Sequence, residues 1–370
     1  MTSEALVTVD TAALRHNIGV LRSAVGSAAV MAVVKANAYG HGVEGAARAF
    51  EDAGVDWLGV VDLTEAAALR AAGVSVPILA WLHAPGETFE RAVQHDITPA
   101  VSDLAQLEAC AVAGVPAVHL CIDTGLSRNG AIESEWGALF DRAAELADSV
   151  RVEGLMSHLS NASPQEDGHQ MAAFVRATGM LIERGITPPL QHLAASAAAL
   201  SYGSSRITMV RLGLAAYGLS PFDDRTSKDL GLRPSLTLTV PVIGLKKVAA
   251  GEGTSYGFTW RATHDTTLAL LPIGYADGIQ RVASNNAHVL VGRRLCPVVG
   301  RIAMNAMTVD LGGAGDADGV GDSVAIGDQA VLFGDPEAGH PPVDAWARET
   351  GTINYEVVAR LSSRLPRRYV

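Results

Sequence analysis

Cysteine is scarce in this chain, and Cys110, Cys121 and Cys296 can neither build a disulfide framework nor offer metal-ligand spacing. Charge is scarce too. Only 18% of residues are charged while a normal 48% are apolar, so a large core is available and bulk disorder is excluded. Positive charge is the scarcer sign: 28 Lys and Arg stand against 39 Asp and Glu, a net charge of −11. Without a basic run there is no electrostatic basis for binding nucleic acid or an anionic membrane surface. No uncharged stretch approaches the ~20 apolar residues of a membrane span. Glu4 and Asp10 stand where a secretion signal needs an apolar segment. The expectation is a cytoplasmic protein of a reducing compartment with no membrane, nucleic-acid or metal partner. At 370 residues the chain should fold as one large domain plus a smaller one.

Residues 28 to 218 repeat one pattern: a short apolar run, a few polar residues, then an Ala- and Leu-rich helix ending in Gly. The runs are Ala29–Val34, Trp57–Val61, Pro77–Trp81, Ile97–Val101, Ala117–Ile122, Val152–Met156, Leu190–Leu193 and Thr208–Val210. Strands buried on both faces read as continuous apolar runs, and parallel strands need helical crossovers. Eight such units predict an α/β fold with an N-terminal (β/α)₈ TIM-type barrel over 1–230. No Gly-x-Gly-x-x-Gly follows the first strand, which disfavours an open dinucleotide-binding sheet.

The pattern changes near Gly231. Ser235–Val240 alternates strictly, as a half-buried antiparallel strand does. Strand-like runs follow at Thr267–Leu271, His288–Val291, Cys296–Val299, Met307–Leu311, Ser323–Ile326 and Gln329–Phe333, with a Gly- and Asp-rich loop over Gly312–Gly321. Helical spacing returns at Val343–Glu349 and Asn354–Leu365. A second, mainly β domain over 231–370 is expected, and the lone strand Val7–Asp10 is a candidate to pair with it.

In a (β/α)₈ barrel the chemistry sits at the C-terminal ends of the strands. The first run here ends in Lys35, and the fifth leads through Asp123-Thr124-Gly125 to Arg128. The sixth ends at His158, Ser196 follows the seventh, and the eighth leads to Arg211. A lysine behind Met31-Ala32-Val33-Val34 is costly unless it is neutralised or used covalently. With Arg128, His158 and Arg211 on one rim, Lys35 reads as a Schiff-base lysine facing an anionic cofactor. Pyridoxal 5'-phosphate needs such a lysine, a phosphate cradle after the last strands and a group facing its ring nitrogen. Ser196 with the Gly213-Leu214 backbone suits the phosphate, Arg211 the ring nitrogen, and His158 the ring face.

The segment Val34-Lys35-Ala36-Asn37-Ala38-Tyr39-Gly40-His41-Gly42 resembles the cofactor-lysine signature of the alanine racemase family. The resemblance continues in family order through Asp123–Arg128, Ser157-His158-Leu159 and Arg211-Leu212-Gly213, then Ser255-Tyr256-Gly257, Gly274–Gly278, Gly300-Arg301 and Asn354–Val357. It implies a homodimer in which each site is completed by the partner's β domain. It implies that Lys35 carries the cofactor and serves as one base, with Tyr256 of the other chain as the opposed base. Tyr39, Ser196, Gly213, Leu214 and Tyr355 would hold the phosphate, and Arg211, braced by His192, the ring nitrogen. Arg128 and the Met304 backbone would receive the substrate carboxylate, Arg128 also reaching the cofactor. Tyr275 and Arg301 would line the substrate's entry. The implied activity is interconversion of L- and D-alanine by a two-base mechanism, supplying D-alanine for peptidoglycan.

Three positions depart from the family pattern. Cys121 stands where a lysine, often carbamylated, orients the arginine matching Arg128. Asn305 replaces an aspartate after Met304, removing a charge near the substrate, and Ala195 replaces an asparagine before Ser196. Alternative readings are a racemase preferring serine or another amino acid, and a non-catalytic pyridoxal-phosphate carrier or regulator. The β domain and Tyr256 argue against the carrier.

Overall fold

The computed structural model describes residues 5–202, 207–313, 320, 321 and 323–370. After a first strand, β1 (Leu6–Val9), eight parallel strands follow. They are β2 (Ala29–Val33), β3 (Trp57–Val60), β4 (Ile78–Ala80), β5 (Thr98–Val101), β6 (Ala117–Cys121), β7 (Arg151–Met156), β8 (Leu190–His192) and β9 (Met209–Leu212). Their order is β8-β7-β6-β5-β4-β3-β2-β9. The ring closes between β8 and β9, where Thr208 N donates to Gln191 O and Arg211 N to Ala194 O, both at 3.0 Å. This is the (β/α)₈ barrel expected from the eight runs.

Helical crossovers bury β3, β6 and β9 along their whole length, which is why these strands show no alternation. Helix Leu104–Ala113 illustrates the local logic. The Asp103 carboxylate accepts from Gln106 N at 2.8 Å, and Gly114 ends the helix in the left-handed region at φ 80°. Inside the barrel, Met31, Trp57, Leu79, Ala100, Cys121, Met156 and Met209 form one buried cluster, with Leu190 packed against it. Each strand thus contributes one side chain, and truncating one as large as Met31 to Ala costs about 2–5 kcal/mol.

The chain divides into two compact units. The barrel unit comprises Leu14–Ala36 and Ala46–Leu232; the other takes the N-terminal residues to Ala13, Asn37–Gly45 and Arg233–Val370. The second unit is mainly β. Its strands are β10 (Leu236–Pro241), β11 (Gly244–Val248), β12 (Gly253–Thr254), β13 (Trp260–Arg261), β14 (Thr266–Leu271), β15 (His288–Val291), β16 (Arg294–Pro297), β17 (Met307–Asp310), β18 (Gln329–Phe333) and β19 (Arg367–Tyr369). β1 lies in its six-stranded sheet, antiparallel to β10 and parallel to β19. β10 alternates between buried and half-buried residues, as its sequence demands.

Two local expectations fail. Ser323–Ile326 is no strand: Ser323 N and Val324 N both turn back to Val320 O, and Ala325 N is held by Asp328 Oδ2 at 2.8 Å. Side-chain capture by Asp328 competes there with pairing. The helix expected over Asn354–Leu365 stops at Ala359. The loop expected over Gly312–Gly321 lies, at 314–319, outside the described residues. Among the described residues no helix is long and apolar enough to cross a membrane.

Candidate active site

Alternation along the strands decides which side chains enter the barrel. Met31 and Met209 point inward, so two-residue steps along their strands carry Lys35 and Arg211 to the inner side. The same parity from Met156 and Cys121 selects His158, His119 and Asp123. Lys35 feels the charges of Arg128 and Arg211, and burial followed by these two guanidiniums pushes its pKa down, with Glu65 opposing. A lowered pKa gives the amine more of its neutral, nucleophilic form near neutrality.

Arg211 is buried and its guanidinium is held on nearly every side. Nη1 donates to His192 O at 2.6 Å and meets His192 Nδ1 at 3.1 Å. Nη2 donates to Ser157 O at 2.6 Å and meets His158 Nδ1 at 3.0 Å. Among the described residues Nε–H has no acceptor and no carboxylate pairs with this arginine. Burial lowers its pKa to about 10, which leaves it a cation at neutral pH. The thiol of Cys121 supplies no counter-charge, because burial pushes its own pKa up to about 11.

Ser196 opens the helix Ser196–Tyr202, and its Oγ accepts from Gly213 N at 3.1 Å and Ala215 N at 3.4 Å. A hydroxyl and a run of backbone N–H groups therefore converge after β9, a ready anion cradle. Ala195, where the family has asparagine, bridges Arg211 through its backbone. Arg128 is exposed on a loop that folds back on itself: Asp123 Oδ1 accepts from Gly125 N at 2.8 Å and Ser127 N at 3.1 Å, and Asp123 N donates to Ala131 O. Cys121 meets Asn129 Nδ2 at 3.8 Å. Among the described residues no carboxylate pairs with Arg128, so nothing here replaces the family's carbamylated lysine.

The segment after Lys35 is unusual. Ala36, Asn37, Ala38 and Tyr39 all have φ between 51° and 54°, one turn of left-handed helix. Such a turn costs about 1–2 kcal/mol per residue without compensation, and several contacts oppose that cost. Glu65 accepts from Ala36 N at 2.9 Å, and Asn37 Oδ1 accepts from Val43 N at 2.9 Å. The buried ring of His41 bonds Ala38 O and Tyr39 O through Nδ1, at 3.1 and 2.9 Å. Arg367 in β19 donates twice to Gly40 O, at 3.0 and 3.2 Å. Gly40 is obligatory, since a Cβ there would lie 2.0 Å from Val358 O. The turn sets Tyr39 beside Tyr355, ring centroids 6.4 Å apart. Burial raises both phenol pKa values, with Tyr355 adding to the shift at Tyr39, so both remain hydrogen-bond donors at neutral pH.

The remaining expected site residues lie on three loops of the second unit. Ser255 Oγ donates to Arg301 O at 2.5 Å, and Tyr275 N donates to Ala303 O. A Cβ at Gly274 would strike Ala303 O and Met304 O, so the 274–277 and 303–305 loops lie backbone to backbone. Tyr256 is 70% exposed, Met304 55% and Tyr275 43%. Asn305, its amide oriented by its donors, accepts from Arg364 Nη2 at 3.1 Å, and Arg364 pairs with buried Asp277 at 2.7 Å. The carboxylate lost at position 305 therefore leaves Arg364 with a partner.

Sequence reasoning missed His119, Glu65 and Arg367. His119 has the parity of Cys121 and could have been found by it; the other two act through backbone carbonyl and N–H groups and leave no residue pattern.

The buried histidines make a pH prediction. Burial lowers His41 to about 4 and His119 to about 3, and holds His192 well below its ordinary value. Between these values and the unfolded value near 6.5, the unfolded chain binds more protons than the folded one. Stability from these groups is fully present above pH 6.5 and falls as pH drops toward 3, by about 1.4 kcal/mol per pH unit for each. Denaturant midpoints measured from pH 7 to 4 should fall steadily; a flat profile over that range contradicts neutral burial.

Comparison with known proteins matches both units. Residues 9–221 match the family described as alanine racemase, N-terminal domain, and residues 235–369 match alanine racemase, C-terminal domain. The chain is 46% identical to the alanine racemase of Salinispora tropica, covering 99% of this chain and 98% of that one. It is 43% identical to the alanine racemase of Mycolicibacterium smegmatis over 100% of this chain and 95% of that one. Among solved structures it resembles the alanine racemase of the D-cycloserine producer Streptomyces lavendulae, with TM-score 0.93, 38% identity and coverage of 100% and 98%. That of Streptomyces coelicolor A3(2) gives TM-score 0.93, 41% identity and the same coverage.

Proposed function

The chain belongs to the alanine racemase family and interconverts L- and D-alanine, and on that premise we propose that Lys35 and Tyr256 are its two bases, working on bound pyridoxal 5'-phosphate. The residues fit this cofactor: a lysine amine of lowered pKa, a hydroxyl and backbone cradle at Ser196 and Gly213, and a buried cationic Arg211 that no carboxylate pairs with among the described residues. When bound, the cofactor withdraws electron density from the substrate Cα and so acidifies the α-proton.

Lys35 would hold the cofactor covalently, and its amine would move a proton on one face of Cα. Tyr256, so exposed in its own chain, does the same on the opposite face of the partner's site. Racemisation requires both, since a proton removed from one face must be supplied at the other. Arg211, with its Nε–H unused among the described residues, would face the ring nitrogen, and because a guanidinium does not readily surrender its proton it would leave that nitrogen unprotonated and restrain charge delocalisation. His158 would face the ring. Ser196, Gly213, Leu214, Tyr39 and Tyr355 donate to the phosphate. Arg128 and the Met304 N–H receive the substrate carboxylate, and Tyr275 with Arg301 lines its approach. In this reading the protein is a cytoplasmic homodimer supplying D-alanine for peptidoglycan.

The single observation carrying the cofactor assignment is Lys35, a lysine of lowered pKa at a barrel strand end beside two arginines. Borohydride reduction of the protein with pyridoxal 5'-phosphate, followed by peptide mapping, should place the label on Lys35. A label on any other lysine, or none, overturns it.

A further inference from the structure

Behind Arg211 lies a line of rings that no role above uses to its end. His192 Nε2 meets His119 Nδ1 at 2.8 Å, and both side chains are completely buried. His119 sits two residues before Cys121 on β6, opposite Ala100 of β5. Gly154 makes room for it: a Cβ at that position would lie 2.4 Å from His119 Nδ1. The Trp57 ring lies across it, centroids 5.3 Å apart.

The proton positions along this line are determined by chemistry. Arg211 is donor-only, so His192 Nδ1, 3.1 Å from Nη1, must present a lone pair. Neutral His192 then carries its proton on Nε2 and donates it to His119 Nδ1. His119 in turn carries its proton on Nε2, a buried atom with no hydrogen-bond partner. A buried N–H left unpaired is a cost, and here it is the end of a chain whose other end is a lone pair aimed at the arginine. An alternative tautomer of His192 would set N–H against N–H at Arg211.

We propose that His119 is a positioning residue that locks the His192 tautomer and thereby fixes Arg211 at the cofactor's ring nitrogen. Burial beside Arg211 keeps both imidazoles neutral over the working range, as their lowered pKa values require. The functional part of the inference rests on the cofactor reading above; the tautomer part does not. With Arg211 free to shift, the ring nitrogen becomes open to a proton. Some turnovers then end with the amino group of alanine left on the cofactor and pyruvate released, the cofactor taking the two electrons that alanine loses.

The test uses ¹⁵N-histidine labelling and three proteins: parent, His119→Leu and His119→Asn. Leucine removes the acceptor, whereas the asparagine amide oxygen can stand where Nδ1 stood. In the cofactor-free parent, His192 should show a protonated Nε2 and an unprotonated Nδ1. His119→Leu should lose that single signature, and in the loaded enzyme it should release pyruvate at least ~10-fold more often per racemisation event, the scale on which a positioned group acts. His119→Asn should restore both. A protonated Nδ1 on His192 of the parent overturns the proposal outright, whether or not His119→Leu folds. So does an unchanged tautomer and pyruvate ratio in a folded His119→Leu. Failure of the cofactor reading is seen separately, as absence of label on Lys35 with the parent tautomer as stated.

Discussion

Lys35→Ala should lose racemisation by more than ~10⁴-fold, the upper range for a positioned base, because in the proposed mechanism one change removes both the covalent anchor and a base. The barrel should survive the substitution. Lys35 lies just past the end of β2, outside the buried cluster that contains Met31, Trp57 and Leu79, and removing an ammonium that feels the charges of Arg128 and Arg211 relieves like-charge repulsion. Tyr256→Phe should also be inactive, for a different reason. If the two residues serve one site from two chains, each variant lacks half of every site. Mixing the two with subunit exchange builds heterodimers in which one site combines an intact Lys35 with an intact Tyr256. Activity should therefore return on mixing and rise as exchange proceeds. A mixture with exchange demonstrated by native mass spectrometry and no activity would mean that both bases come from one chain.

The barrel was legible because its strands are covered on both faces, so most show as short, largely apolar runs with few polar interruptions. The residues that follow the runs, at the strand ends where a (β/α)₈ barrel gathers its chemistry, then pointed to Lys35, His158 and Arg211. The left-handed turn after Lys35 was not legible. Lys-Ala-Asn-Ala-Tyr is a passable right-handed helix by propensity, and only Asn37 and Gly40 hint otherwise; the conformation is imposed by Glu65, His41 and Arg367 from outside the segment. β19 was missed because Arg367-Arg368-Tyr369 carries no apolar pattern, and its pairing with β1 is a backbone matter. Ser323–Ile326 looked like a strand because Val324-Ala325-Ile326 is apolar, but Asp328 captures Ala325 N. His119 was hidden inside the apolar run Ala117–Ile122, where one polar residue reads as noise unless the parity of Cys121 is applied to it.

Tyr256→Phe separates the two faces of the reaction and tests the most specific role assigned to any residue here. The substitution removes one hydroxyl from a side chain that is 70% exposed within its own chain, so folding stability should change by less than about 0.5 kcal/mol. A phenol-to-phenyl change also alters volume little, and loss of activity cannot be assigned to a collapsed pocket. Racemisation should fall by at least ~10²-fold in both directions, since each direction needs a proton moved on Tyr256's face. Exchange in deuterated water should not fall evenly. Lys35 still stands on its own face, so D-alanine should keep exchanging its α-proton with solvent while L-alanine does not. The asymmetry follows from reach: a base can take only the proton that points toward it, and no proton crosses the plane of the cofactor. Chiral chromatography with mass detection reads enantiomer and deuterium content together. Equal α-deuteration of both enantiomers, with racemisation near the parental rate, would place the second base elsewhere and remove Tyr256 from the mechanism.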